Sequence, residues 1–496
     1  MRIDKKVIKN IIYSVGTQVI LVAINMILPR FLIVNYGSDT NGLVSTITQI
    51  FTYIALLEAG IGAASVNRLY KNIAKGNKQD ISYTISATKN FFRSLVPVYV
   101  FCVIIFMSIY PLVVKTNVPA SIIKLIILFQ GLSGVINFTF SNTYIQLLIA
   151  DGRNYISANI NLISKCFSTI LQIVLINSGF GVEIVQLGYL VANIVKAICI
   201  NIYVHKKYKW IKKIKKANVS VLEQRNAFII HEISSVVFNN TDIFILSIFS
   251  GTALASVYVV YNMVYSMLNN FVSVFNSSMD YQLGQRYNKN FKDYLRFHDF
   301  YEPLYMAMIF ALMTIAMILM VPFVSVYMKG VSDVNYLDWR LPILFSLIQV
   351  LSCSRIVCAK LITISGHAGD TVVNTSLEAI INIIVSLVLV KYIGIYGVLI
   401  GTIVALLYRT NDVILYANVK ILQRKPIRTY KNLLVNMLLF CIAIVCSVKL
   451  PITADNYLEF IFLCLIIAPI ILIMYFICVI LSNKNVRNEL MKLWRK

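Results

Sequence analysis

The stretch Gly181-Val-Glu-Ile-Val-Gln-Leu-Gly188, followed by Val191-Ala192 and Lys196, recurs as Gly394-Ile-Tyr-Gly-Val-Leu-Ile-Gly401, Val404-Ala405 and Arg409. The glycines, the Val-Ala pair and the cation keep matching offsets. The chain therefore reads as two copies of one helical unit. Both copies lie in apolar segments of the length that crosses a bilayer, roughly 20 residues. Duplicated membrane bundles build a central cavity between two lobes.

Composition supports a membrane setting. Hydrophobic residues make up 58% of the chain and charged residues 13%, with mean hydropathy +0.76. Soluble domains carry about 25% charged residues. The expected fold class is an all-α polytopic membrane protein with about fourteen transmembrane helices. Their cores read as 8–34, 42–65, 91–114, 121–148, 155–178, 182–203, 226–249, 253–278, 300–327, 341–364, 372–391, 396–418, 432–449 and 457–481.

A net charge of +24 would suit nucleic acid, but its placement argues against that partner. Roughly 33 of the 45 Lys and Arg residues fall at the N-terminus and in alternate loops, the positive-inside pattern. Both termini are expected on the inner, cytoplasmic side of the membrane. The basic start runs into an apolar segment without a small-residue cleavage site, so the first segment is expected to stay. The richest inner loop is His205-Lys-Lys-Tyr-Lys-Trp-Ile-Lys-Lys-Ile-Lys-Lys216. It reads as a topology determinant touching anionic lipid heads, or as a docking site for a partner enzyme. The nine cysteines are scattered through apolar segments without a CxxC pair. They read as small buried hydrophobes, and no metal site is expected. There is no GxxxxGK[ST] phosphate loop and no HExxH. No cofactor and no enzymatic activity are expected.

The duplication extends beyond the opening motif. Ala150-Asp-Gly-Arg153 matches Ser365-Gly-His-Ala-Gly-Asp370, and Arg30-Phe-Leu-Ile-Val-Asn-Tyr-Gly37 pairs loosely with Asp242-Ile-Phe-Ile-Leu-Ser-Ile-Phe249. The expected organisation is an N-terminal lobe at 1–204 and a basic cytoplasmic loop at 205–225. A C-terminal lobe at 226–420 follows, then spans 13 and 14 with a basic tail at 421–496. An even number of spans per repeat relates the six-helix lobes by a pseudo-two-fold axis along the membrane normal.

Six cations fall within spans: Arg30, Lys165, Lys196, Arg355, Lys360 and Arg409. Four anions join them: Glu58, Asp242, Glu378 and Asp412. Left on lipid, these groups would cost some ~25–35 kcal/mol on insertion scales, so they must pair, snorkel or line a wet cavity. Lys165, Lys196, Arg355 and Arg409 lie nearest mid-depth. They are candidates for cavity lining, with buried pairing as the alternative. Arg30 and Lys360 lie nearer the ends. Glu58, Asp242 and Glu378 are candidates for ion coupling or gating, though the small residues after Glu58 also suit close helix packing. Segment 253–278 carries Tyr258, Tyr261, Asn262, Tyr265 and Asn269 at helical spacing. That stripe suits sugar hydroxyls and sugar faces, or interhelical hydrogen bonds. Gln130, Asn137, Asn142 and Tyr144 form a thinner version.

These features together resemble the multidrug/oligosaccharidyl-lipid/polysaccharide exporter superfamily, and within it the bacterial polysaccharide flippases of the Wzx type. The resemblance is carried by Pro29-Arg-Phe-Leu-Ile33, Tyr36-Gly-Ser-Asp-Thr-Asn-Gly42, Leu57-Glu-Ala-Gly-Ile-Gly62, Arg68-Leu-Tyr-Lys71, Asn240-Thr-Asp-Ile-Phe-Ile245 and Val257-Tyr-Val-Val-Tyr261. It implies alternating access and transfer of an undecaprenyl-pyrophosphate-linked oligosaccharide to the outer leaflet. Other polysaccharide-assembly membrane proteins are implied partners. Fixed cations would offset the lost hydration of the pyrophosphate. Arg30 and Asp242 match positions on the first helices of the two lobes, where they could form a gating pair. A cation-coupled multidrug antiporter of the same superfamily, a membrane-embedded polymerase or ligase, and a glycosyltransferase scaffold are the alternatives.

Overall fold

The computed structural model describes residues 5–58, 61–212, 214, 225–367, 369–449 and 452–494. The described residues are helical with no strand, and they divide into two compact units, 1–256 and 257–496. Among the described residues, ten helices are long and apolar enough to cross a membrane. Of the expected segments, 8–34 and 42–65 fall on the first helix and its continuation, 226–249 on the eighth and 253–278 on the ninth. The linker residues 213 and 215–224 lie outside the described residues.

Unit 1 begins with α1 (Lys5–Ile54), which bends at Gly37, where φ is 85°. A tight turn at Ala55–Glu58 leads to α2 (Ile61–Ala74). Then come α3 (Lys78–Val113), α4 (Ala120–Ile136) and α5 (Asn142–Ala150), the last two joined by a wide helical turn at Asn137–Ser141. The unit continues with α6 (Asn154–Asn177), α7 (Val182–Lys207) and α8 (Arg225–Phe249), and ends in the first turn of α9 (Thr252–Lys289). α1 packs on α6 and α8, and α4 packs on α7.

Unit 2 holds the rest of α9, then α10 (Phe291–Tyr327), α11 (Arg340–Ser354), α12 (Ile356–Ile364), α13 (Val372–Ile393) and α14 (Ile395–Leu415). A wide turn at Tyr416–Ile421 leads to α15 (Ile427–Lys449), α16 (Tyr457–Ser482) and α17 (Lys484–Trp494). Asparagines start three of the long helices by taking up free backbone N–H groups. Asn77 accepts from Gln79 N at 3.0 Å, Asn290 from Lys292 N at 3.0 Å and Asn456 from Glu459 N at 2.9 Å.

The duplication has a geometric counterpart. α6 and α7 form a hairpin in unit 1, and α13 and α14 form one in unit 2. Gly188 lets α7 lie against α6, because a Cβ there would sit 3.3 Å from Leu175 Cδ1. Gly401 does the same on α13, where a Cβ would reach Ser386 Oγ at 2.2 Å. One polar bond recurs across each contact. Gln172 Nε2 donates to the Val185 carbonyl at 3.4 Å, and Ser386 Oγ donates to the Val398 carbonyl at 3.3 Å. The loops after α5 and α12 also turn alike, with Gly152 at φ 68° and Gly366 at φ 83°.

One end of unit 1 is stapled by Asp39, just after the α1 bend. One carboxylate oxygen accepts from Thr116 Oγ1 at 2.9 Å and Asn117 N at 2.6 Å. The other accepts from the Thr252 hydroxyl. Lys115 Nζ donates to the Phe249 carbonyl at 2.9 Å, Thr252 N to the Lys115 carbonyl at 3.1 Å, and Asn41 Nδ2 to Ser256 Oγ at 2.7 Å. Gly42 makes this approach feasible, since a Cβ there would overlap the Thr252 carbonyl oxygen at 1.7 Å. Gly42→Ala is therefore expected to cost about 1–3 kcal/mol through overpacking. It should lower the melting temperature of the purified protein in detergent. An unchanged melting temperature would show that this approach does not hold unit 1 together.

Candidate functional site

In unit 2 the mid-span charges form one matched network. Arg355, at the end of α11, donates from Nη2 to Glu378 Oε1 on α13 at 2.7 Å. Arg409 on α14 lies with Nε 3.7 Å from Glu378 Oε2, pairs through Nη1 with Asp412, and donates from Nη2 to Thr375 Oγ1 at 2.8 Å. Asn374 Nδ2 completes the Asp412 carboxylate at 2.6 Å. Two guanidinium groups face two carboxylates, so the charge cancels within the network. Arg355 Nη1 is the exception, enclosed with no hydrogen-bond acceptor. Lys360 stands half-buried on α12.

Unit 1 meets the same problem differently. Lys165 on α6 and Lys196 on α7 are both half-buried and make no hydrogen bond or salt bridge among the described residues, although the charge of Glu58 acts on Lys196. The offset that aligns Lys196 with Arg409 aligns Lys165 with Glu378. The position that supplies the counter-ion in the second hairpin thus supplies a second cation in the first. This sign change is the signal that the sequence reading missed. It emerges only when the repeat is carried across both helices of the hairpin.

The other expected residues of unit 1 sit around these helices. Glu58 accepts from Asn142 Nδ2 at 2.5 Å, and one turn on Gly62 lies against Gln146, whose Nε2 would be 2.8 Å from a Cβ. Glu58 thus bonds across to the start of α5, and its charge also acts on Lys196 of α7. Arg30 lies on α1 and Asp242, 4% exposed, on α8, two helices that pack together. One residue before Asp242, the Thr241 and Tyr53 hydroxyls share a hydrogen bond of 2.7 Å. The thinner polar stripe joins helices: Gln130 Nε2 donates to Gln186 Oε1 and Asn137 Nδ2 to Asn193 Oδ1, each at 3.4 Å.

The aromatic stripe requires a correction. Tyr261 and Tyr265 are 0% exposed and Tyr258 8%, so these rings do not line a cavity. All three pack on Phe345 of α11, with centroids 5.2–5.8 Å away. Tyr261 OH donates to the Tyr336 carbonyl at 2.8 Å and Tyr265 OH to the Pro342 carbonyl at 2.9 Å. The phenols saturate backbone acceptors at the start of α11 instead of facing outward. Asn262, half-buried beside them, accepts from Ser266 Oγ at 3.5 Å.

At the opposite end of unit 1 from Asp39, Asp151 bridges Arg153 at 2.7 Å and accepts from Tyr208 OH at 2.6 Å. Burial and that bond push the Tyr208 phenol up from its ordinary value, so it stays a donor at neutral pH. The matching loop of unit 2 joins His367, Asp370 and Tyr416, with Tyr416 OH on Asp370 Oδ2 at 2.8 Å. Also in unit 2, buried His298, Glu302 and Cys358 place ligand-type atoms within 4.8 Å of one another. Glu302 Oε1 there accepts from Thr429 Oγ1 at 3.0 Å and from Cys358 Sγ at 3.5 Å. Arg424 Nη2 lies 3.5 Å from His298 Nδ1 and already supplies positive charge.

No family profile matches the sequence, and no curated protein matches it. Solved structures do. The lipid II flippase MurJ in an inward closed conformation matches with TM-score 0.66 at 13% identity, over 94% of this chain and 97% of that one. An inward-facing multidrug resistance MATE transporter of the MOP superfamily matches with TM-score 0.60 at 14% identity, over 81% and 94%. A Vibrio cholerae MATE transporter matches with TM-score 0.58 at 13% identity, over 85% and 98%. At these identities the likeness establishes the fold. The chain shares the multi-helix membrane fold of these structures, whose proteins are a flippase and multidrug transporters.

The matched network makes Glu378 the keystone of unit 2. Removing one partner of a buried ion pair costs roughly 3–5 kcal/mol. Glu378→Gln is expected to lower the melting temperature, and Glu378→Gln combined with Arg355→Gln to recover part of the loss. Equal melting of the single variant and the unmodified protein would show that the network carries no stability.

Proposed function

We propose that this chain is a flippase for a phosphate-bearing lipid-linked oligosaccharide, carried from the inner to the outer leaflet by alternating access. The assigned cargo is an undecaprenyl-pyrophosphate-linked repeat unit destined for surface polysaccharide. The observation that carries this reading is the pair Lys165 and Lys196. Two half-buried ammonium groups stand in neighbouring membrane helices without a hydrogen bond or salt bridge among the described residues, and the one acid acting on them, Glu58 on Lys196, leaves the pair net positive. Such groups are retained where water or an anionic cargo reaches them. A pyrophosphate crossing the low-dielectric slab loses its hydration, and fixed cations replace it. The lipid tail stays in the bilayer while the head group crosses.

The resemblance carried by the first seventy residues, from Pro29 to Lys71, supports a polysaccharide cargo. MurJ, the lipid II flippase among the structural neighbours, shows that the fold is used for a lipid-linked substrate. The cytoplasmic membrane is the assigned location, with both termini inside and the basic loops on anionic lipid heads. The MATE neighbours favour a second reading, a cation-coupled drug antiporter. That chemistry needs a carboxylate open to a cation. In unit 2, Glu378 and Asp412 are instead matched by Arg355 and Arg409.

Deletion of the gene is expected to abolish surface polysaccharide and to trap lipid-linked repeat units on the cytoplasmic side. Unchanged surface glycan with drug hypersensitivity would replace this reading with the antiporter. In the complemented strain, Lys165→Gln with Lys196→Gln should cut flipping at least tenfold at equal expression, while Lys165→Arg with Lys196→Arg retains it. Full flipping by the glutamine pair would remove these lysines from the cargo path.

A further inference from the structure

The basic segment after α7 folds back onto unit 1 and encloses a second cationic site. Ile214 N donates to Ser86 Oγ at 3.0 Å and Lys212 N to Ser82 Oγ at 3.4 Å, both on α3. Lys78 Nζ lies 5.9 Å over the Trp210 ring, and Tyr208 is tied to Asp151 at 2.6 Å. The four attachments hold the segment in place over a cavity of about 400 Å³. That volume lies within the range of small-molecule sites, about 300–1,000 Å³.

The lining is one-sided. Lys89, Arg93, Lys209, Lys212 and His205 contribute to it, and no carboxylate does. None of the four permanent cations pairs with a carboxylate among the described residues. The neighbouring acid, Asp151, is already committed to Arg153 and Tyr208. Tyr144 adds a hydroxyl that takes a hydrogen bond from Lys89 Nζ at 3.4 Å and keeps its own proton to donate. His205 Nδ1 lies 2.8 Å from the Asn201 carbonyl. That contact places the ring hydrogen on Nδ1.

Like charges gathered in one cavity repel, and a bound anion relieves the repulsion. One carboxylate would neutralise one of four permanent charges. A phosphoryl or pyrophosphoryl group brings several charges and several acceptor oxygens, which suits a guanidinium, three ammonium groups and a phenol together.

We propose that this cavity is a phosphate site for the head group of a lipid or a soluble phosphate ester, separate from Lys165 and Lys196. On the positive-inside pattern it opens toward the cytoplasm, where a cargo loads. Only the identification of its occupant as the flipped lipid rests on the proposed function.

The test uses the full-length protein purified in detergent and titrated with inorganic pyrophosphate by calorimetry at two salt concentrations. Binding should weaken with salt and fall at least tenfold in Arg93→Gln with Lys212→Gln. Lys484→Gln, an exposed cation on α17, should leave it unchanged. Melting temperatures of all variants should match, since the altered side chains are exposed and hold no other residue. Absence of binding to the unmodified protein would overturn the proposal, as would equal affinity in the double variant.

Competition in nanodiscs identifies the source of the phosphate. Displacement of pyrophosphate by undecaprenyl pyrophosphate alone assigns the site to the cargo lipid, and displacement by phosphatidylglycerol assigns it to bulk lipid. Displacement by neither assigns it to a soluble ester. Normal surface glycan in cells whose variant has lost pyrophosphate binding would detach the site from loading and leave the proposed function standing. Retained binding in a chain that does not support glycan export would do the reverse.

Discussion

Hydrocarbon has no hydrogen-bond partners to offer, so each charge in a spanning helix must be met by protein, by water or by cargo. The architecture of both units follows from how they satisfy that demand. Unit 2 satisfies it from within. Arg355 and Arg409 share Glu378, Asp412 takes the second guanidinium, and Thr375 and Asn374 fill remaining positions. Unit 1 leaves Lys165 and Lys196 without a salt bridge among the described residues, with Glu58 the one acid acting on Lys196. One copy thus cancels its charge within the hairpin, and the other keeps an excess of cations.

This difference is superimposed on a shared backbone. Gly188 and Gly401 each bring two helices of a hairpin together, and each contact carries a side-chain bond to an equivalent carbonyl, Val185 or Val398. Close backbone approach demands the missing Cβ in both copies. The side chains further along the hairpin are under no such demand. They were free to diverge from Glu378 to Lys165 while the contact stayed the same.

That distinction governs what could be read in advance. Span positions follow from hydropathy because the bilayer imposes one length on every crossing, and ten helices satisfy it among the described residues. The glycine motif was legible because it answers a local steric need. The aromatic stripe of α9 was legible as a face but not as a destination. Spacing shows that Tyr258, Tyr261 and Tyr265 lie together, and only packing shows that Phe345 covers them. Asp39 escaped notice because it sits between spans, where a single acid carries no periodic signal, and its partners Thr116, Asn117 and Thr252 are remote in sequence. The fold-back of Lys209 and Lys212 onto α3 was hidden for the same reason, since a run of cations looks alike whether it is solvated or built into a wall.

Asp39 also bears on how such a molecule changes state. A single carboxylate joins the bend of α1 to the α3–α4 connection and to the start of α9. A swing of α1 must carry those two junctions along or break their bonds to the carboxylate. Asp39 is thus a single side chain through which three chain junctions of unit 1 are tied to each other.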